Sequence, residues 1–77
     1  NKMTFYEFMQ TRIKRDDIIG YIAREMSMDV KLFPSLELRK SSIKQWQDRI
    51  LDKTHTDTVR DYINSGFKMA VKEFESI

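Results

Sequence analysis

Apolar residues recur at intervals of three and four through the last third of the sequence, a spacing typical of one face of an α-helix. The stripe consists of Val59, Tyr62, Ile63, Gly66, Phe67, Ala70, Val71 and Phe74. A start signal, in which Thr54 and Asp57 stand in a T-x-x-D relation, precedes it. Together they predict a long final helix that ends near Glu75. The small residues Gly66 and Ala70 would let another helix cross this one closely.

The first helix is predicted from about Thr4 to Lys14. Thr4 and Glu7 form a T-x-x-E capping box, in which each side chain satisfies a free backbone N–H of the first turn. The apolar face consists of Phe5, Phe8, Met9 and Ile13. Tyr6 lies off this face, so we expect its ring to be partly exposed with the hydroxyl in water.

The second helix is predicted from about Asp17 to Met26. Gly20 lies inside it at a cost of about 1 kcal/mol relative to alanine, and with Ala23 we interpret it as a flat patch for a crossing helix. The apolar pattern then loosens until Phe33 and Pro34. Because proline disfavours helical geometry in the residue before it, we expect Phe33 to be extended with its ring turned into the core.

The sequence after Pro34 predicts one more helix. In residues 35–39 leucines alternate with polar residues, which fits either a short extended segment or a single helical turn. Ser42 and Gln45 stand in capping-box relation, and apolar spacing then predicts a helix from Ile43 to about Lys53. Trp46 is the only tryptophan, and we expect it at the centre of the core.

Composition also favours helices. The sequence contains two glycines and one proline, too few turn residues for a series of hairpins. A chain of 77 residues has room for one domain with one small core. We therefore predict an all-α fold, a compact four- to five-helix bundle formed by residues 1–77. The predicted core consists of Phe5, Phe8, Ile19, Gly20, Ile22, Ala23, Phe33, Pro34, Trp46, Ile50, Ile63, Phe67 and Phe74.

The first half of the chain resembles a known family. F-Y-E-F-M at 5–9, D-D-I-I-G at 16–20, Ala23 and F-P at 33–34 are similar to the YozE-like, sterile-alpha-motif-like (SAM-like) small proteins of Gram-positive bacteria. In that family an F-Y-x-(F/W)-(L/M) opening, a D-x-x-(I/L)-G-x-(L/I)-A segment and an F-P follow in the same order. The resemblance implies a SAM-like helical bundle and no enzymatic activity. SAM-like folds serve as protein-interaction modules, and some bind nucleic acid.

No group of residues in the sequence has the pattern of an active site. With no cysteine and one histidine, His55, the chain lacks the ligand cluster of a zinc or transition-metal site. The isolated glycines form no phosphate-binding loop, and Ser41 and Ser42 have no nucleophile motif around them. We therefore expect no catalysis, no cofactor and no small-molecule substrate. We also expect a cytoplasmic protein without a membrane span, since the chain has neither cysteines nor a long apolar run.

The sequence instead predicts an interaction module. Our leading hypothesis is that it binds a protein partner or a second copy of itself, with Tyr6 and Met28 as exposed candidates. The net charge of +2 is low for a dedicated nucleic-acid binder. The alternative is a nucleic-acid-binding domain, if folding brings the cations of residues 12–15 beside those of residues 39–44 to form a basic patch. The predicted interaction surface consists of Tyr6, Arg12, Lys14, Arg15, Arg39, Lys40 and Lys44.

Overall fold

All regular secondary structure in the computed structural model, which describes residues 3–77, is helical. The five helices in this range are α1 (Phe5–Gln10), α2 (Ile18–Leu32), α3 (Leu36–Arg39), α4 (Ile43–Leu51) and α5 (Asp57–Glu75). The prediction of an all-α bundle with a long C-terminal helix is therefore confirmed. Of the two alternatives left open for residues 35–39, the structure shows a single helical turn.

Each helix begins at a polar side chain that accepts a backbone hydrogen bond from its first turn. These N-caps are Thr4, Asp17, Ser35, Ser42 and Thr56. The capping boxes predicted at the starts of α1 and α4 are both present. The cap of α5 is Thr56, not Thr54, whose hydroxyl instead donates to the carbonyl of Leu51 at 2.9 Å.

The core lies between α1, α2, α4 and α5. Its buried apolar residues are Phe5, Phe8, Met9, Ile18, Ile19, Ile22, Ala23, Met26, Val30, Trp46, Ile50, Ile63, Phe67 and Ala70. Trp46 is fully buried, and the half-buried ring of Tyr6 stacks on it with 5.9 Å between centroids. Phe74 is partly buried and packs against the edge of the core.

Two helix boundaries differ from the predicted ones. α1 ends at Gln10, because the N–H of Arg12 bonds to the carbonyl of Met9, three residues back, and so starts a turn. α2 continues to Leu32, well beyond the predicted end at Met26. Buried residues at positions 26, 29 and 30 extend the helical stripe through the segment where the apolar pattern loosens.

Phe33 and Pro34 were wrongly assigned to the core. Both are exposed, and the side chain of Phe33 is 60% accessible to solvent. α2 runs on to Leu32, so its last turn extends past the apolar interior. Phe33 is the C-cap of α2, and its N–H donates to the carbonyl of Asp29 at 2.8 Å. Its ring lies 5.5 Å from the guanidinium of Arg49 instead of entering the core.

A glycine is needed at position 20 because another part of the backbone lies very close to it. That backbone belongs to the loop before α2 and not, as predicted, to a crossing helix. A Cβ at this position would lie 1.9 Å from the carbonyl oxygen of Arg15, in the loop before α2. The guanidinium of Arg24 donates to the carbonyls of Ile13 and Arg15 at 2.9 and 3.0 Å, which holds this loop against α2. The loop therefore has little room to move away from an added methyl group.

Replacing Gly20 by alanine is expected to lower the free energy of unfolding by about 2 kcal/mol, because a Cβ this close to backbone puts the steric cost at the upper end of the usual overpacking range of about 1–3 kcal/mol. The gain in helix propensity of about 1 kcal/mol is smaller than the expected steric cost. Urea denaturation followed by circular dichroism measures the difference. Ser65→Ala, at an exposed position of α5, is the control and should change stability little. A Gly20→Ala protein as stable as the wild type would contradict this account.

Candidate interaction surface

Four large apolar side chains lie exposed where α2 ends and α3 begins. The accessible fractions are 57% for Met28, 65% for Leu32, 60% for Phe33 and 67% for Leu36. Met28 and Leu32 are one helical turn apart and therefore share one side of α2. We call these four residues the α2–α3 corner. Only Met28 was expected from the sequence to be exposed, because the true end of α2 was not predicted.

α3 contributes little to the core. None of its residues is buried, and Leu38 alone packs partly against the core. The helix is held by the Ser35 cap, and its outer side faces solvent. α3 therefore forms an exposed ridge with a depression on each side.

The depression between α1 and α3 has a volume of about 310 Å³. We call it the α1–α3 groove. It is lined by Thr4, Tyr6, Glu7, Leu36, Arg39 and Lys40. Leu36 belongs both to this groove and to the α2–α3 corner, so the two surfaces are continuous.

The depression on the other side of α3 is larger, about 620 Å³, and more open. We call it the α3–α4 depression. It is lined by Phe33, Ser35, Glu37, Leu38, Ser41, Gln45 and Arg49. Phe33 joins it to the corner, so the apolar corner lies next to both depressions.

The predicted interaction residues do not all meet at one place. Tyr6, Arg39 and Lys40 are brought together in the α1–α3 groove. Arg12 and Arg15 instead reach Glu73 of α5, and the Nη1 of Arg15 lies 2.8 Å from its carboxylate. The remaining two are Lys14, which is exposed, and Lys44, whose ammonium lies 2.9 Å from the Asp48 carboxylate.

Arg15 also bonds to Asp17, the cap of α2, with 3.0 Å between Nε and Oδ2. This hydrogen bond lowers the pKa of Asp17, with a further contribution from the N–H of Gly20, and it raises the pKa of Arg15. Because the pKa of Asp17 is lower in the folded state, its contribution to stability is present above the ordinary carboxyl pKa. That contribution is lost as the pH falls through the lowered value.

Asp29 is a buried carboxylate that the sequence analysis missed. It is 2% accessible, and its Oδ2 accepts from the Nε of Arg49 at 2.8 Å. Its other oxygen accepts from the ammonium of Lys53. The signal was present in the sequence, since Asp29 follows Ile22 by seven residues and so falls on the buried stripe. The pairing fixes Arg49 at the wall of the α3–α4 depression.

A second set of exposed apolar residues lies on α5. Val59, Tyr62 and Met69 are 43%, 59% and 48% accessible. The apolar stripe predicted for α5 is therefore buried or half-buried only from Ile63 onward. These three residues are spread over the exposed side of one helix, whereas the α2–α3 corner joins two elements beside two depressions.

The chain matches no protein-family model, no curated protein and no solved structure. The resemblance to the YozE-like family therefore stays a prediction. Within residues 3–77, no group of three or more histidine, aspartate or glutamate side chains is placed to hold a metal ion. No helix in the same range has the length and apolar character needed to cross a membrane.

Proposed function

We propose that this protein is a non-enzymatic interaction module that binds a protein partner through the α2–α3 corner. The observation that carries the proposal is the exposure of Met28, Leu32, Phe33 and Leu36, each more than half accessible. Large exposed apolar patches on soluble proteins mark protein–protein interaction sites, since exposure of such a patch to water is unfavourable. A helix laid across the corner could place apolar side chains at successive turns.

The disposition of charged groups supports a role without catalysis. Both carboxylate oxygens of Asp29, the buried acid, accept hydrogen bonds from cations, so this carboxylate serves the packing of the fold. His55 is exposed in the turn before α5. The absence of cysteine means that the fold needs no oxidising compartment, and we place the interaction in the cytoplasm.

Nucleic-acid binding is the less favoured candidate. Arg12, Arg15 and Lys44 are paired with acidic side chains, and a phosphate would have to compete with those carboxylates. The cations without such partners in the described chain include Arg39 and Lys40, which lie beside the apolar corner. This mixture of apolar and cationic groups is better suited to a protein surface than to a continuous phosphate backbone.

Peptides selected from a random library against the wild-type protein provide the test. We expect the selected peptides to bind Leu32→Ser/Leu36→Ser at least tenfold more weakly, because both side chains are exposed contact candidates. Val59→Ser/Tyr62→Ser, which alters the exposed apolar set on α5, is the matched control and should bind normally. Both variants should unfold at nearly the wild-type temperature, since none of the four side chains is in the core.

Sedimentation velocity over a wide concentration range tests self-association in the same variants. A dimer that the corner variant abolishes and the α5 variant retains would identify a second copy as the partner. Failure to enrich any peptide together with a strictly monomeric protein would contradict the proposed function. Peptide binding that is unaffected by the corner variant would contradict the proposed location.

A further inference from the structure

The α1–α3 groove has one fixed aromatic wall and one exposed aliphatic wall. Tyr6 is held in place because its ring stacks on the buried Trp46 at an interplanar angle of 17°. Leu36, on the opposite side, is 67% accessible. A volume of about 310 Å³ is at the small end of the range of about 300–1,000 Å³ for ligand pockets. The groove is therefore suited to one or two side chains of a larger partner.

The charge of the groove is unbalanced. Arg39 and Lys40 are exposed, and neither forms an ion pair with a carboxylate in residues 3–77. Five of the eleven other lysines and arginines in residues 3–77 do have acidic partners: Arg12, Arg15, Lys44, Arg49 and Lys53. Glu7 is the acidic residue of the groove, and its Oε1 accepts from the backbone N–H of Thr4 at 2.8 Å. Two cations thus remain available beside apolar walls.

We propose that the partner of this protein presents an acidic amphipathic helix, and that the α1–α3 groove selects it. An apolar side chain of that helix would pack between Tyr6 and Leu36, and its carboxylates would pair with Arg39 and Lys40. The continuity through Leu36 lets the same helix extend its apolar side over the α2–α3 corner. This inference rests on the proposed function, and it adds the charge and shape of the partner.

Two peptides that differ only in charge test the inference. Each has about twelve residues with leucine at positions i, i+3, i+4 and i+7, and the other positions carry either glutamate or glutamine. Each is titrated into the ¹⁵N-labelled full chain, and amide shifts give both the site and the Kd. We expect the glutamate peptide to shift the amides of Tyr6 and of residues 36–40. Its Kd should be about tenfold lower than that of the glutamine peptide at about 0.01 M salt, and about threefold lower at about 0.15 M salt, because salt screens exposed pairs.

Matched variants locate the preference. Arg39→Gln/Lys40→Gln should bind both peptides equally, because the cations that distinguish them are gone. Lys68→Gln/Lys72→Gln removes the same charge from exposed positions of α5 and should keep the wild-type preference. All four side chains are exposed, so both variants should fold normally.

Each other outcome has a distinct meaning. Equal binding of the two peptides, with both lost in Leu32→Ser/Leu36→Ser, would keep the proposed function and overturn the acidic partner. A preference that survives Arg39→Gln/Lys40→Gln would overturn the assignment to the groove. No shift with either peptide would overturn the inference, whatever the library selection gives. Duplex DNA that shifts the same amides at lower concentration than the glutamate peptide would replace it with nucleic-acid binding.

Discussion

Replacing Trp46 by alanine is expected to lower the free energy of unfolding by about 3–5 kcal/mol, since truncation of a buried aromatic leaves a large cavity. Trp46 is fully inaccessible to solvent, and the ring of Tyr6 stacks on it. Domains have a total stability of only about 5–15 kcal/mol, so this change could leave a large unfolded fraction. Urea denaturation followed by far-ultraviolet circular dichroism measures the loss without relying on tryptophan fluorescence.

Trp46→Phe provides the control for this experiment. Phenylalanine keeps an aromatic ring beneath Tyr6, and it removes an indole N–H that is buried with no acceptor among residues 3–77. Removing an unsatisfied donor offsets part of the lost volume, so we expect less than half the destabilisation of the alanine variant. An alanine variant within about 1 kcal/mol of the wild type would contradict the central place given to Trp46, since such changes typically cost several times more.

Replacing Arg49 and Lys53 together by methionine is expected to cost about 3 kcal/mol, the lower end of the range for breaking a buried ion pair. The change leaves the Asp29 carboxylate, whose side chain is 3% accessible, without its cations. The two cations are themselves 36% and 39% accessible, so water could partly replace them, which places the cost at the low end. Urea denaturation of the double variant gives the difference directly.

The triple variant Asp29→Leu/Arg49→Met/Lys53→Met separates the buried charge from other effects. Replacing a whole buried ionic group by apolar residues is often nearly neutral, so we expect the triple variant to recover most of the loss. Methionine at position 49 can also cover the ring of Phe33, as the guanidinium does. If the triple variant were as unstable as the double variant, the unpaired Asp29 carboxylate could not be the cause of the stability lost in the double variant.

The two stability predictions also bear on the interaction surface. Trp46 supports Tyr6 at the wall of the α1–α3 groove, and Asp29 holds Arg49 at the wall of the α3–α4 depression. The depressions on both sides of α3 therefore depend on buried side chains behind them. A folded variant of Trp46 or of Asp29, both buried, should weaken binding at the corner without altering any exposed residue.

Local sequence was enough to predict most helices and their starts. The capping boxes at Thr4 and Ser42 involve side chains three residues from the backbone groups they satisfy, so sequence spacing alone specifies them. The stripe of α5 is likewise a repeat within one helix, and Ile63 and Phe67 lie on its buried side. These features depend on contacts within one or two turns, which is why they could be predicted without knowledge of the fold.

Tertiary packing decided the remaining features, because they join residues that are distant in sequence. Arg15 and Glu73 are 58 positions apart, and Asp29 and Arg49 are 20 apart. No local pattern predicts which cation will form an ion pair with which carboxylate, or that Tyr6 will lie beside the end of α3. The same limitation explains Phe33, whose exposure follows from how far α2 extends past the core. Sequence spacing thus determined the helices, whereas packing between them decided which residues stay exposed and which cations remain unpaired at the candidate surface.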